Sequence, residues 1–173
     1  MHSRLLLVPA AIVVAAAAQP ASGFELQSLE AAQVKLAAGR KLTPADFRLT
    51  PEQHTRLQME YRVPSLRPAV KAWRIDGGGW LFLDQVYGLN DIVTYLVAIG
   101  DDGKVTGLEV LVCAEGYCEI FSPEWRATLV GRTHGKWEPT EVVPMISGAT
   151  LSCTHVGEGV KKLLAIHARF LPS

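Results

Sequence analysis

The stretch that decides the fold is Trp80–Cys113, which reads WLFLDQVYGLNDIVTYLVAIGDDGKVTGLEVLVC. β-Branched and aromatic residues dominate three runs within it, which predicts strands over Trp80–Tyr87, Ile92–Ile99 and Val105–Cys113. The Asp101-Asp102-Gly103 turn before the third run is typical of a tight hairpin. Short connections of this kind join neighbouring antiparallel strands, so the stretch predicts an antiparallel meander.

The flanking sequence adds a strand upstream and helices downstream. Trp73 and Ile75 end a short strand before the turn Gly77-Gly78-Gly79. Ser122-Pro123 is typical of a helix start, with serine as the cap and proline in the first turn.

The last helix of the chain is predicted to begin near Ser147–Thr150. Apolar residues recur behind that start at three- and four-residue spacing, which predicts one buried stripe. Lys161, Lys162 and Arg169 are expected off the stripe. The stripe comprises Val156, Val160, Leu163, Leu164, His167, Phe170 and Leu171.

Residues 24–70 are expected to form a helical and irregular N-terminal segment. Apolar residues between Leu26 and Ala37 predict a short amphipathic helix. Thr43-Pro44 and Thr50-Pro51 each place proline after a threonine cap and predict two further helix starts. With the meander and the last helix, this gives an α+β chain whose main domain spans residues 71–173.

Residues 1–23 have the layout of a secretory signal peptide. Arg4 is followed by an almost entirely apolar run over Leu5–Ala18 and then by small residues up to Gly23. The run is shorter than the stretch of about 20 residues that spans a bilayer. Export to the periplasm with removal of the signal is the prediction, and an uncleaved membrane anchor is the alternative.

Charge and cysteine content narrow the function classes. The chain carries 17 basic and 17 acidic residues, so nothing indicates a basic surface for nucleic acid. The histidines and cysteines have no metal-ligand spacing, so no metal site is predicted. Cys113, Cys118 and Cys153 are expected as unpaired, mostly buried thiols, with a bridge between the first two as the alternative.

Ser147-Gly148-Ala149-Thr150, at the start of the last helix, is suited to an anion. The first N–H groups of a helix have no partner within the helix and point beyond its end. Gly148 allows a ligand to approach the backbone, and Thr150 and Ser152 add hydroxyl groups. The alternative is that Ser147 is an ordinary N-cap and that no ligand binds.

Residues 72–171 resemble the FMN-binding domain of the sodium-pumping NADH:quinone oxidoreductase and the Rnf complex, which also occurs in small periplasmic FMN-binding proteins. In that family a Ser/Thr-Gly-Ala-Thr string marks the site, as at Ser147–Thr150. Further segments resemble the family's strands and loops: Asp84–Gly88, Thr94-Tyr95, Gly103–Val105, Leu108–Leu111, Glu115–Ile120, Trp125-Arg126 and Gly131.

The resemblance implies a covalent flavin. The last threonine of the string, Thr150 here, is esterified to the phosphate of FMN by a dedicated flavin transferase. Two departures from the family are Pro144, where an Asp usually stands, and Cys118, where Gly is frequent. The implied phosphate cradle is Ser147, Gly148, Ala149, Leu151 and Ser152, and Glu115, Tyr117 and Trp125 are candidates to line the flavin ring.

The sequence therefore predicts an exported electron carrier that holds FMN on Thr150, with a membrane-bound or periplasmic redox partner. The sequence contains no nucleophile motif that would indicate an enzyme in its own right. The alternative is an exported binding or sensory module of the same fold, with non-covalent flavin or none.

Overall fold

The computed structural model describes residues 24–61, 67–89, 91–113 and 122–171. The strands within these ranges are β1 Phe24–Glu25, β2 Leu42–Pro44, β3 Phe47–Arg48, β4 Ala69–Ile75, β5 Trp80–Tyr87, β6 Ile92–Ile99 and β7 Val105–Cys113. The helices are α1 Leu29–Leu36, α2 Pro51–Glu60, α3 Pro123–Ala127, α4 Pro139–Val142 and α5 Thr150–Phe170.

An antiparallel sheet forms the middle of the molecule. Its strands follow the order β1-β7-β6-β5-β4-β2, and β3 pairs with β4 as well. The three strands predicted between Trp80 and Cys113 have the expected bounds, and the turn at Asp101–Gly103 joins the last two through the bond from Gly103 N to Gly100 O. The α+β class and the meander with a C-terminal helix are confirmed.

The segment before residue 70 supplies three strands to this sheet, and one predicted helix start within it is wrong. Thr43-Pro44 lies in β2, paired with Arg74 and Trp73 of β4. β2 and β3 share one register along β4 and are interrupted at Asp46. There the carboxylate of Asp46 accepts the N–H of Ala72 at 3.0 Å. Strand pairing along an open edge therefore overrides the local proline signal.

The helix starts predicted at Thr50-Pro51 and Ser122-Pro123 are confirmed, and the helix predicted between Leu26 and Ala37 is α1. Ser28 caps α1 by accepting the N–H of Ala31, and Ser122 caps α3. Thr50 and Gln53 form a reciprocal capping box at α2. Each cap satisfies a backbone donor that the helix itself leaves without a partner.

Helices cover both faces of the sheet. On one face α5 packs across β5 and β6, and the core there includes Phe82, Tyr95 and Val97 with Val156, Val160 and Leu163 of the helix. On the other face α1 packs on β6 and β7. Its Ala32 and Ala37 meet Trp73, Leu81 and Leu96. Both cores are apolar on the sheet side, which explains the nearly continuous apolar strands in the sequence.

The buried apolar stripe predicted for α5 is confirmed, but the prediction that Lys162 lies off this buried face is wrong. Val156, Val160, Leu163, Leu164 and His167 are buried. Lys162, expected off the stripe, is only 2% exposed. Its ammonium lies 2.6 Å from the carboxylate of Asp84 on β5, and this partner makes the burial of its charge possible.

The cysteines differ from the expectation of unpaired thiols. Cys113 is disulfide-bonded, so the unpaired state was wrong for this residue. Cys153 is a free thiol and fully buried, as expected. Cys118 lies outside the described residues.

The described residues lack two kinds of feature. None of the helices there is long and apolar enough to cross a membrane. In the same ranges, no group of three or more His, Cys, Asp or Glu side chains is arranged to hold a metal ion.

Candidate functional site

The N-terminus of α5 is built differently from those of α1, α2 and α3. Those three helices are each capped by a serine or threonine side chain. The N-cap of α5 is Ala149, and no side chain caps it. The alternative in which Ser147 is the ordinary N-cap therefore does not hold. The longest helix in the described ranges thus begins without a side-chain acceptor at its tip.

Backbone geometry keeps this tip open. The first helical bond runs from Cys153 N to Ala149 O at 3.0 Å, so the N–H groups of Thr150, Leu151 and Ser152 have no partner within the helix. Gly148 has a φ of 87°, in the left-handed region. The first turn carries no acidic residue, so nothing there opposes an anion drawn to the positive end of the helix dipole.

The side chains of the string divide into exposed and buried ones. Ser147, Gly148 and Thr150 are exposed, whereas Ala149 is 3% exposed. The hydroxyl of Thr150 makes one long hydrogen bond, 3.4 Å to the carbonyl of Ile146. The exposed Thr150 hydroxyl is therefore accessible for modification.

Ser152 has a structural role at this tip. It is fully buried, and its hydroxyl accepts the N–H of Leu89 at 3.1 Å. One turn further, Nδ1 of His155 lies 2.6 Å from the carbonyl oxygen of Tyr87. These two bonds hold the β5–β6 connection against the start of α5. Sequence reasoning missed this contact because its partners are more than 60 residues apart.

The β5–β6 connection brings exposed apolar side chains to the tip. Tyr87 is 51% exposed, Leu89 48% and Leu151 48%. Large apolar side chains exposed close together on a surface are typical of a binding site. The exposed apolar side chains near the tip are therefore Leu151 of α5 together with Tyr87 and Leu89, whose backbone groups bond to Ser152 and His155.

A cleft adjoins Thr150 along the exposed face of α5. We call it the α5 cleft; it has a volume of about 530 Å³. Thr154 begins it one turn after Thr150, and its hydroxyl donates to the carbonyl of Thr150 at 2.8 Å. The i, i+4 spacing along a helix puts both threonines on one face. The residues lining the cleft are Glu60, Glu138, Thr154, His155, Glu158 and Lys161.

Lys161 contacts several charged and aromatic side chains at the end of the α5 cleft that is farther from Thr150. Its ammonium lies 3.2 Å from Glu138 and 3.7 Å from Glu158. It also lies 6.0 Å from the ring centre of Tyr61 and 5.7 Å from that of Trp137. Burial, together with the charge of Glu60, raises the pKa of Tyr61 to about 12. The spacing of Thr154, Glu158 and Lys161 behind Thr150 is visible in the sequence and could have predicted this face.

The structure also shows the surroundings of three further residues that were named from the sequence. Trp125 is a core residue, 3% exposed, and its indole N–H donates to the carbonyl of Pro144 at 3.0 Å. Pro144 itself is exposed. Burial raises the pKa of the Cys153 thiol, which agrees with a small buried hydrophobe and not with a reactive group. Glu115 and Tyr117 lie outside the described residues.

These features fit the phosphate and ring of a flavin nucleotide. The tip offers unpaired N–H donors, a glycine that permits close approach and an exposed hydroxyl. The α5 cleft falls within the roughly 300–1,000 Å³ typical of small-molecule sites. Thr150 is exposed beside this cleft, so its hydroxyl can carry a group that extends along the helix.

Comparison with known proteins agrees with this geometry. Residues 88–165 match the family model of the FMN-binding domain. The match begins at the β5–β6 connection and ends within α5, so it contains Thr150 and most residues of the α5 cleft. A search of curated proteins found no significant match.

Proposed function

We propose that this chain, whose residues 88–165 match the family model of the FMN-binding domain, is an exported electron carrier with FMN esterified to Thr150. The single observation that carries the proposal is the exposed Thr150 hydroxyl at an uncapped helix tip. FMN, when bound, supplies the redox chemistry. The chain supplies the attachment point and the surroundings of the ring.

The N–H groups of Thr150, Leu151 and Ser152 hold the phosphate, and Gly148 gives it access to the backbone. A phosphate at a helix N-terminus gains about 0.3–1 kcal/mol from the dipole, and about 2 kcal/mol when partly buried. The hydroxyl of Ser152 contributes indirectly, because it accepts the N–H of Leu89 and so holds the β5–β6 connection in place. Ser147, exposed just before the tip, is a further donor to the phosphate.

The flavin ring lies along the exposed face of α5. Leu151 and Leu89 offer apolar surface at the tip, and Thr154, His155 and Glu158 line the α5 cleft beyond it. The bond from His155 to Tyr87 fixes the edge of this surface. The chain thereby limits the orientation of the ring while leaving one side open to a redox partner.

Export is supported by the N-terminal sequence and by the disulfide at Cys113. Disulfides persist in oxidising compartments such as the periplasm. A cofactor held only by weak contacts would be lost there by dilution. A phosphoester bond prevents that loss, and a flavin transferase is the partner needed to make it.

The test is co-expression of the mature protein with a flavin transferase, followed by denaturation. We expect yellow fluorescence that stays with the chain on a denaturing gel. The intact mass should increase by FMN less one water. Thr150→Val, which keeps the side-chain shape but removes the hydroxyl, should lose both signals, whereas Thr150→Ser should retain them.

Thr55→Val is the matched control, because it makes the same change at an exposed threonine of α2, outside the α5 cleft. It should label like the unchanged chain. Flavin that stays on the denatured Thr150→Val chain would exclude Thr150 as the attachment point.

A second function is an exported binding or sensory module with non-covalent flavin, and Pro144 favours it. The family usually has an acidic residue at this position, three residues before Ser147. An unlabelled chain that still binds free FMN in its native state would support this alternative. In that case Pro144→Asp should restore labelling if the missing acid is the reason.

A further inference from the structure

A second cavity lies beside α1, apart from the α5 cleft. It has a volume of about 420 Å³ and is bounded by α1, the β4–β5 turn, the β6–β7 hairpin and α3. We call it the α1 cavity. Its size is that of a small-molecule site, and none of its lining residues belongs to the α5 cleft.

Positive charge dominates the α1 cavity. Lys35, Arg40 and Arg126 line it, together with a single carboxylate, Glu109, among the described lining residues. Glu109 is 5% exposed and is already paired with Lys35 at 2.6 Å and with Arg126. Three cations against one carboxylate leave two positive charges for a ligand to balance.

Arg126 has a donor without a partner. Its Nη1 donates to the carbonyl of Leu108 at 3.0 Å and to Glu109. Its Nε is buried and has no hydrogen-bond partner. A buried, unsatisfied N–H costs about 1–3 kcal/mol, and the Nε side of a guanidinium suits a carboxylate oxygen. Arg126 therefore has a donor left for an anion.

Thr106 adds one hydroxyl, and the other walls are apolar or lack side chains. Leu36 and Val130, the latter 48% exposed, supply the accessible aliphatic surface. An added Cβ at Gly107 would lie 2.6 Å from Cδ2 of Leu36, so a larger residue there would require Leu36 to shift. Apolar walls with a few placed polar groups are typical of sites for organic ligands.

We infer that the α1 cavity binds a small organic carboxylate with an apolar body. Its carboxylate is held by Nε of Arg126, with Arg40 and Lys35 at the rim, and its apolar part lies against Leu36 and Val130. The site is separate from the flavin site, so the inference does not depend on the proposed function.

The test is amide and arginine Nε–H NMR of the mature protein, titrated with phenylacetate, 3-phenylpropionate and 4-phenylbutyrate. We expect at least one of them to shift the Nε–H signal of Arg126 and the amides of Gly79, Gly100 and Gly107. The matched neutral amide, 3-phenylpropionamide, should shift these signals much less. The inference is overturned if none of the acids perturbs them at millimolar concentration, or if the amide acts equally.

Three variants, one of them a control, separate recognition from stability. Arg40→Gln should weaken the best acid by about tenfold, as expected for loss of one charge-assisted contact. Arg48→Gln makes the same charge change on β3, outside the cavity, and should leave the affinity unchanged. Arg126→Lys keeps the charge beside Glu109 but removes the Nε–H, and should abolish binding while the thermal midpoint shows that the chain is folded. Equal affinity in all of these variants would also overturn the inference.

Discussion

Lys162 of α5 and Asp84 of β5 form a buried ion pair, with 2.6 Å between the ammonium and the carboxylate. Their side chains are 3% and 16% exposed. The same carboxylate oxygen accepts the hydroxyl of Tyr95 at 2.7 Å. The three groups link the helix that carries Thr150 to the middle of the sheet, so the position of the proposed flavin site depends on them.

Breaking this pair should strongly destabilise the fold. We expect Lys162→Met to lower the free energy of unfolding by about 3 kcal/mol, because it leaves a largely buried carboxylate with only a neutral partner. Urea unfolding measures the loss. The double variant Lys162→Met, Asp84→Asn should lose less than the sum of the two single variants. Strict additivity would show that the two groups do not interact.

Gly159 allows α5 to lie close to Tyr95. An added Cβ at Gly159 would lie 1.9 Å from the Tyr95 hydroxyl oxygen and 3.2 Å from Val86. Gly159→Ala should therefore cost about 1–3 kcal/mol of overpacking, despite the better helix propensity of alanine. Combining it with Tyr95→Phe should recover part of that cost, since the closest atom is removed. A stabilising effect of Gly159→Ala alone would contradict this account.

Gly148 should control flavin attachment. Its φ of 87° costs a non-glycine residue about 1 kcal/mol or more. Gly148→Ala should therefore reduce flavin fluorescence per denatured chain, and Gly148→Asn should reduce it less, because asparagine tolerates this conformation better. Gly135→Ala is the control, as its added Cβ meets nothing within 4 Å. Full labelling of Gly148→Ala would show that the backbone conformation is not needed.

His167 should make stability depend on pH. Burial lowers its pKa below the ordinary 6.5, Asp101 and Asp102 oppose that shift, and Arg74 adds to it. Its Nε2 is buried without a hydrogen-bond partner. The folded chain therefore holds fewer protons here than the unfolded chain, and stability present above pH 6.5 is lost as the pH falls below that value.

His167→Gln should flatten this part of the curve of unfolding free energy against pH. The measurement is the urea midpoint of unfolding at several pH values between about 7.5 and about 5, a range that includes the ordinary histidine pKa. An unaltered slope in His167→Gln would assign the dependence to another group.

The thiol chemistry of the chain should reflect one bridge and one buried thiol. Cys153 is fully buried, and burial raises its pKa, so native protein should resist iodoacetamide. In denaturant without reductant, one thiol should be alkylated, because a bridge at Cys113 uses two of the three cysteines. Mass spectrometry counts the adducts. Three adducts without reductant would exclude the disulfide.

Much of the fold could be predicted from local sequence. The strands at Trp80, Ile92 and Val105 and the capped helices at Thr50 and Ser122 each follow from residues close together in the chain. Thr43-Pro44 was misassigned because its strand pairs with β4 about 30 residues later. Local propensity depends on neighbouring residues only, so it cannot predict pairing with a strand that distant.

The candidate site was predicted in part as well. Thr150 and Gly148 were identifiable because the string and the helix that follows are contiguous. The α5 cleft and the contacts of Ser152 with Leu89 and of His155 with Tyr87 were not, since they need the β5–β6 connection to lie against α5. Burial of Lys162 was missed for the same reason.

The sequence by itself determined the elements, their periodicity and the anion-suited string at Thr150, because hydrogen bonding and side-chain spacing within a helix or strand are local. Only the tertiary structure decided which polar groups are used internally and which are free. Asp84 and Lys162 satisfy each other, Ser152 is occupied by Leu89, and Thr150 remains exposed. That division depends on packing between distant segments, which sets the surroundings of each group.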